Sequence, residues 1–204
     1  MIYEFRTYTL HPRKMPEFMK AFESKLEGRQ KLSPLAALWY TEIGPLNQVI
    51  HVWPYENAGE RARIRAEAVK TGVWPPALHD MIQEMRSEIF EPQPFSPPLT
   101  PSSHGPIFEM RSYVIKPGGA PEMAKRWQEN LPGRLKLSPL IGVFTSETGP
   151  LNQWVHIWAY NSLEHRSQIR KTAMEGKIWP PPGDSPVVRQ ETKILLPAAF
   201  SPIK

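Results

Sequence analysis

Two histidines, His51 and His156, lie in the middle of a stretch that the chain contains twice, GPLNQVIHVWPYEN and GPLNQWVHIWAYNS. Imidazole changes its charge near neutral pH and is the side chain most often used for proton transfer in enzymes. The two histidines are therefore the candidate catalytic residues for acid/base chemistry. The alternative is that each histidine only hydrogen-bonds to a neighbouring polar side chain inside the protein.

Polar and aromatic residues recur around these histidines and along the first predicted strand of each repeat, and they are the candidates for holding a ligand. Arginine offers a fork of donors to an anion, tyrosine can orient a ligand through its hydroxyl, and tryptophan can stack on an aromatic group. In the first half of the chain these residues are Glu4, Arg6, Tyr8, Glu42, Asn47, Trp53 and Tyr55, and in the second half they are Glu109, Arg111, Tyr113, Glu147, Asn152, Trp158 and Tyr160. The alternative for the arginines and glutamates is a buried ion network without a ligand.

Metal and cofactor chemistry has weaker support in the sequence. His51, His156, Glu42 and Glu147 are ligand types that suit zinc or iron. No two histidines have the close spacing of a local metal motif, so no metal site is predicted. The chain has no cysteine, which excludes disulfides and covalently attached haem. Haem held only by a histidine stays open, and the cofactor is left as unknown.

Length, composition and charge narrow the class of protein. A chain of 204 residues with 40% hydrophobic residues fits one large domain or two small packed ones. The net charge is +5, but no basic stripe accompanies it, so nucleic acid is not expected as a partner. No apolar run approaches the ~20 residues of a membrane span. The start MIYEFRTYTL does not resemble a signal peptide, so a cytoplasmic location is expected.

The two halves of the chain align with each other without gaps. IYEFRTY aligns with IFEMRSY, GRQKLSPL with GRLKLSPL, and VWPP with IWPP. We therefore predict two units, residues 1–97 and 107–204, joined by a Pro/Ser-rich linker at residues 98–106. Phe95 and Phe200, which end the two units in the same Phe-Ser-Pro motif, are predicted to pack on their own units.

Each unit is predicted to fold as β-α-β-β-α-β, the ferredoxin-like arrangement of an α+β protein. Alternation of apolar and polar residues indicates strands, and apolar residues three and four positions apart indicate an amphipathic helix. In the first unit the predicted elements are a strand over 2–10, a helix over 14–31, strands over 35–43 and 48–55 joined by a turn, a helix over 57–71 and a strand over 84–91. The arginines Arg61 and Arg65, with Arg166 and Arg170 in the second unit, lie one helical turn apart and are interpreted as solvated surface charges or as charges that pair with the hairpin, not as a site.

The strand faces decide where the candidate residues lie. Tyr3 and Phe5, with Ile50 and Val52, are the more apolar set and are predicted to pack against the helices. The polar and aromatic candidates would then occupy the opposite face of each sheet. If the two sheets pack face to face, the candidates of both units line one shared interior.

These motifs resemble the NIPSNAP family. The resemblance rests on YEFRTYTL, the GPLNQVIHVWPYEN hairpin, the Arg-rich helix that follows and VWPP, and the second half repeats the signature. It implies a dimeric α+β barrel, here with both units in one chain. The family's activity is poorly defined. The broader fold includes haem-dependent enzymes, cofactor-free monooxygenases and lactone isomerases, which is an analogy of fold alone.

Two functional hypotheses follow from the sequence. The first is that a small organic ligand binds in the barrel lumen, with acid/base chemistry by His51 and His156. The second is that the protein is a non-enzymatic interaction or scaffold protein and that the polar faces are only an interface between the units. Whether the protein is an enzyme is left open, and a second copy of the two-unit chain is a further candidate partner.

Overall fold

Each half of the chain folds as β-α-β-β-α-β in a computed structural model that describes residues 1–204. The first unit consists of β1 (Ile2–Leu10), α1 (Met15–Gln30), β2 (Ala37–Ile43), β3 (Gln48–Tyr55), α2 (Ala58–Lys70) and β4 (Ile82–Pro92). The second consists of β5 (Ile107–Ile115), α3 (Ala120–Leu135), β6 (Leu140–Thr148), β7 (Gln153–Tyr160), α4 (Leu163–Glu175) and β8 (Val187–Pro197). The predicted fold class and element order are confirmed.

Local sequence signals explain where these elements begin and end. Asn57 caps α2 by accepting a hydrogen bond from the backbone N–H of Glu60, 3.0 Å away, and Ser162 caps α4 in the same way. The hairpin between β2 and β3 has positive φ angles at Gly44 (129°) and Asn47 (58°). Glycine and asparagine tolerate this left-handed backbone best, so the repeated GPLN segment is a turn.

The eight strands form one closed barrel in the order β1-β3-β2-β8-β5-β7-β6-β4. All pairs of neighbouring strands are antiparallel, and β1 closes the barrel by pairing with β4. The units join at two places, where β2 pairs with β8 and β4 pairs with β6. The barrel therefore closes within a single chain.

The prediction of which strand face meets the helices was wrong. The barrel interior is filled by buried residues that come from all eight strands and from no helix. They include Tyr3, Phe5, Trp39, Ile50, Val52, Phe90, Phe108, Met110, Phe144, Val155, Ile157 and Leu195. The apolar set thus packs in the lumen, and the polar and aromatic candidates point outwards, beneath the helices. Both faces of such a strand are buried, so apolar character alone does not distinguish them.

The predicted docking of the two Phe-Ser-Pro tails was also wrong. Phe200 stacks on Phe22 of the first unit, with ring centroids 5.9 Å apart, and Phe95 stacks on Trp127 of the second unit, at 6.4 Å. The residue after Phe200 also binds the first unit, because the Ser201 hydroxyl accepts a hydrogen bond from the Leu38 N–H at 3.0 Å. Each tail continues from a strand that already pairs with the other unit, so the tails are exchanged.

Removal of the Phe200 ring is expected to destabilise the first unit's helix packing, although the residue lies at the end of the chain. We expect Phe200→Ala to lower the free energy of unfolding by about 2 kcal/mol. The ring is only partly buried, and truncation of a fully buried phenylalanine would cost about 3–5 kcal/mol. Chemical denaturation measures this value. Leu46→Ala, at a side chain exposed in the hairpin turn, is the control and should change stability by less than about 0.5 kcal/mol.

Candidate functional site

Each unit has one pocket between the outer face of its strands and its helices. The first pocket has a volume of about 260 Å³ and the second about 230 Å³. The first is lined by Glu4, Arg6, Tyr8, Arg29, Trp53, Tyr55, Arg65, Ala68, Val69, Trp74, Pro75 and Met85. The second is lined by Glu109, Arg111, Tyr113, Arg134, His156, Trp158, Tyr160, Arg170, Ala173, Met174, Trp179, Pro180 and Gln190. Antiparallel pairing of β1 with β3 and β4 brings the strand residues together.

A fully buried carboxylate, Glu4, lies at the centre of the first pocket's polar network. Its Oε1 accepts hydrogen bonds from Arg6 at 2.8 Å, Arg61 at 2.7 Å and Ser87 at 2.6 Å. Burial raises the carboxyl pKa, but the hydrogen bonds from Arg61 and Ser87 and the charge of Arg6 outweigh it and hold the pKa at about 2. Glu4 is therefore ionised at neutral pH.

The second unit repeats this network with small changes. Glu109 is also fully buried, and its Oε1 accepts from Arg166 at 2.6 Å, Arg111 at 3.2 Å and Thr192 at 3.1 Å. Its pKa is likewise about 2, because the hydrogen bond and charge of Arg166 and the charge of Arg111 outweigh the effect of burial. The two networks are independent, since they share no residue.

Positive charge exceeds negative charge around each pocket. Three arginines line each pocket together with its single carboxylate, and a fourth arginine pairs with that carboxylate from outside the lining. They are Arg6, Arg29, Arg61 and Arg65 in the first unit and Arg111, Arg134, Arg166 and Arg170 in the second. One carboxylate cannot neutralise four guanidinium groups, so each pocket has three positive charges in excess. Such an excess beside a cavity favours an anion.

Sequence reasoning missed the buried Arg29 and its counterpart Arg134. Arg29 donates to the Tyr55 hydroxyl at 2.9 Å and to the Ser33 hydroxyl at 3.0 Å, and its guanidinium lies 4.3 Å from the Trp53 ring centroid. A signal was present, because Phe18, Phe22, Leu26 and Arg29 follow one another at helical spacing on a single buried face. A charged residue in that series indicates a buried arginine with polar partners.

The interpretation of Arg61 and Arg65 as solvated surface charges was also wrong. Arg61 is about a quarter exposed and pairs with Glu4, and Arg65 reaches the same carboxylate oxygen at 3.5 Å. Arg166 and Arg170 contact Glu109 in the same way. The one-turn spacing on α2 and α4 is thus explained by two side chains that reach one buried carboxylate.

His51 lies behind the first pocket, His156 forms part of the wall of the second, and both are neutral and nearly inaccessible to solvent. His51 and His156 are each 1% exposed. The Nδ1 atom of each accepts a hydrogen bond from the tryptophan two residues on, Trp53 at 2.7 Å and Trp158 at 2.8 Å, and Nε2 has no partner. Burial and nearby arginines lower the pKa of both imidazoles well below the ordinary value. The proton of the neutral ring therefore lies on Nε2, an arrangement that favours a packing role.

This arrangement predicts a specific NMR signature. The ¹⁵N shifts of both imidazoles should be those of the neutral Nε2–H tautomer, and they should not titrate between pH 8 and pH 6. Long-range ¹H–¹⁵N correlation spectra measure the tautomer directly, and His51→Gln and His156→Gln variants assign the signals. A neutral Nδ1–H tautomer would contradict the hydrogen bond from tryptophan, and protonation near pH 6.5 would show that the imidazole can exchange a proton.

The other predicted site residues divide into two groups. Glu4, Arg6, Tyr8, Trp53 and Tyr55, with their counterparts in the second unit, line the pockets. Glu42 and Glu147 are exposed, and Asn47 and Asn152 lie in the hairpin turns, so none of these four lines either pocket. Contrary to the prediction, the candidates of the two units do not line one shared interior. His51 contacts Tyr8 and Phe22 in the first unit, whereas the ring neighbours of His156 are second-unit residues.

Comparison with known proteins identifies the family. The sequence profile of the NIPSNAP family matches the chain twice, at residues 3–97 and 108–202. The chain belongs to the NIPSNAP family. Among similar NIPSNAP proteins, human Protein NipSnap homolog 3A is 31% identical over 100% of this chain and 86% of its own length. The Protein NipSnap homolog of Dictyostelium discoideum is 31% identical over 87% of this chain and 78% of its own length.

The NIPSNAP fold extends to proteins with little sequence similarity. The solved structure of an anthrone oxidase-like protein superposes on this chain with a TM-score of 0.62 at 9% identity, over 98% of this chain and 93% of the other. That likeness concerns the fold alone. No helix of this NIPSNAP chain is long and apolar enough to cross a membrane. No group of three or more His, Asp or Glu side chains is arranged to hold a metal ion.

Proposed function

We propose that this NIPSNAP protein binds a small organic anion in each of its two outer pockets. The observation that carries the proposal is that three arginines line each cavity beside a single carboxylate, which a fourth arginine also binds. Arginine is suited to carboxylates and phosphates because its planar fork of donors matches their oxygens. The pockets lie on the outer barrel face. The ligand is therefore proposed to bind beneath the helices and not in the barrel lumen, where the sequence had suggested it.

The apolar walls of the pockets favour an anion with an aromatic or apolar group. Trp53 and Trp74 pack edge to face, with ring centroids 5.8 Å apart, and both line the first pocket. Trp158 and Trp179 repeat this pair at 6.2 Å in the second. Tryptophan rings offer a large flat surface for stacking. A ring or short chain attached to a carboxylate or phosphate would satisfy both the arginines and this wall.

The pKa values of the pocket residues support binding without proton transfer. The pKa of Glu4 is about 2, and burial raises the pKa of the pocket tyrosines Tyr8 and Tyr55. The imidazole of His51 is neutral and buried. No group in this set exchanges a proton readily near pH 7, where acid/base catalysis needs one. We therefore place anion binding ahead of the acid/base chemistry of His51 and His156.

Isothermal titration calorimetry with phenyl phosphate and benzoate tests the proposal. Benzyl alcohol, which has the ring without the charge, is the ligand control. We expect both anions to bind and benzyl alcohol to bind at least about tenfold more weakly, because charge-assisted hydrogen bonds contribute about 1.5–3 kcal/mol. Absence of heat with every anion at millimolar concentration would contradict the proposal and favour the interaction hypothesis.

Matched variants on α2 connect the binding to the pocket. Arg65→Gln removes a guanidinium that lines the first pocket, whereas Arg63→Gln removes an exposed one from the same helix. Both side chains are substantially exposed, so both variants are expected to fold. We expect weaker phenyl phosphate binding at one site in Arg65→Gln and unchanged binding in Arg63→Gln. Equal weakening in both would indicate that only the overall charge attracts the anion.

A further inference from the structure

The two pockets differ in how many of their donors are free, and we propose that the first is the tighter site, selective for anions with an apolar group. The inference rests on the proposed anion binding and concerns the residues that make the two sites differ in affinity. Met85 of the first unit and Gln190 of the second occupy equivalent positions at the two pockets. This substitution accounts for one difference between the pockets, and a tyrosine hydrogen bond present only in the second unit adds another.

The first difference concerns the arginine on the first strand of each unit. In the second pocket, Arg111 Nη2 donates a hydrogen bond to the side-chain oxygen of Gln190 at 3.0 Å. In the first pocket, the equivalent residue is Met85, which offers no such acceptor, and Arg6 Nη2 has no partner within the protein. An anion can therefore bind Arg6 directly but must displace Gln190 to reach the same atom of Arg111.

The second difference concerns the tyrosine that ends the third strand of each unit. The Tyr160 hydroxyl donates to the second oxygen of Glu109 at 3.3 Å. The Tyr55 hydroxyl accepts from Arg29 at 2.9 Å but donates to no group of the protein. The first pocket therefore contains two uncommitted donors, from Arg6 and Tyr55, whereas the corresponding donors of the second pocket are already bonded.

The other lining positions of the two pockets match, except that Met174 replaces Val69 and His156 lines only the second pocket. Equivalent positions carry the same residue at Arg29 and Arg134, at Trp53 and Trp158, at Trp74 and Trp179, at Arg65 and Arg170, and at Ala68 and Ala173. The difference in affinity should thus depend on the residue at the position of Met85. Met85 is 53% exposed, so its thioether chain is available to contact the apolar part of a ligand. Gln190 offers a polar amide in its place.

Reciprocal substitution of these two residues tests the inference. Both lie at exposed positions of β4 and β8, so Met85→Gln and Gln190→Met are expected to fold. Titration of the wild-type chain with phenyl phosphate should show one tight site and one weaker by about fivefold or more, because a hydrogen bond to a charged group must be displaced. Met85→Gln should weaken the tight site about fivefold, and Gln190→Met should strengthen the weak one by a similar factor.

Inorganic phosphate distinguishes the two parts of the inference. It has no apolar group, so Met85→Gln should reduce its affinity less than that of phenyl phosphate. Two equal sites in the wild-type chain, or no effect of either substitution, would overturn the inference and leave the proposed anion binding intact. Absence of phenyl phosphate binding to the wild-type chain would overturn both. Assignment of the tight site follows from Arg65→Gln and Arg170→Gln, of which only the first should weaken it.

Discussion

Glu4→Gln is expected to lower the free energy of unfolding at pH 7 by about 3 kcal/mol. The carboxylate is fully buried, and its removal leaves Arg6, Arg61 and Arg65 close together without a counter-charge. The magnitude follows from the pKa, which is about 2 in the folded protein against the ordinary 4.5. Each unit of pKa difference corresponds to about 1.4 kcal/mol. Chemical denaturation measures the change.

The same pKa predicts how stability depends on pH. Because the folded-state pKa of Glu4 lies below the unfolded value, its contribution is fully present above about pH 4.5. It is lost as the pH falls from there towards pH 2, and Glu109 behaves in the same way. Wild-type stability should therefore fall steeply in this window, and the fall should be about half as large in Glu4→Gln.

Glu42→Gln is the matched control for this substitution. Glu42 is an exposed glutamate of β2 in the same unit and outside the pocket. Its replacement should change stability at pH 7 by less than about 0.5 kcal/mol. A neutral or stabilising Glu4→Gln would show that the arginines do not need the carboxylate, which contradicts the charge balance described for the pocket.

Phe144→Ala is expected to destabilise the protein by about 3–5 kcal/mol and to leave anion binding unchanged. Phe144 belongs to the second unit but packs edge to face on Tyr3 and Phe5 of the first, at centroid distances of 5.4 and 5.2 Å. Removing its ring opens a cavity in the barrel interior where the units meet. Denaturation and titration with phenyl phosphate under folding conditions measure the two effects separately.

The outcome of Phe144→Ala distinguishes a packed lumen from a binding lumen. A destabilisation below about 1 kcal/mol would indicate that the interior is loosely filled, because well-packed phenylalanines cost more than this to truncate. A large change in phenyl phosphate affinity in the folded variant would place the ligand inside the barrel. The first result would contradict the packed lumen, and the second would contradict the assignment of binding to the outer face.

The sequence was sufficient to predict the elements because their signals are local. Asn57 at the start of α2, the Gly44 and Asn47 turn, and the helical spacing of Phe18, Phe22 and Leu26 each act within a few residues. Because the unit is duplicated, each element could be predicted from two independent copies of its sequence. The order β-α-β-β-α-β followed from these signals, and the barrel followed from the resemblance to a known family.

The orientation of the strands could not be predicted from apolar character, because it depends on two buried environments. The lumen is surrounded by strands, and apolar residues such as Phe5 and Val52 pack inside it. The space beneath the helices is also buried, yet α2 brings Arg61 to neutralise Glu4 there. Which face of each strand meets the arginines depends on contacts between segments that are distant in the sequence. The exchange of Phe95 and Phe200 depends on the same long-range pairing.

The central claim is that an organic anion binds beneath the helices and not inside the barrel, and crystallography with 4-bromobenzoate tests it most directly. Anomalous scattering locates the bromine without any assumption about the pose. The account predicts an anomalous peak in the first pocket, beside Trp53 and Trp74, with the carboxylate within hydrogen-bonding distance of Arg6. A peak in the barrel interior, or a titration that shows binding while neither pocket contains bromine, would contradict it.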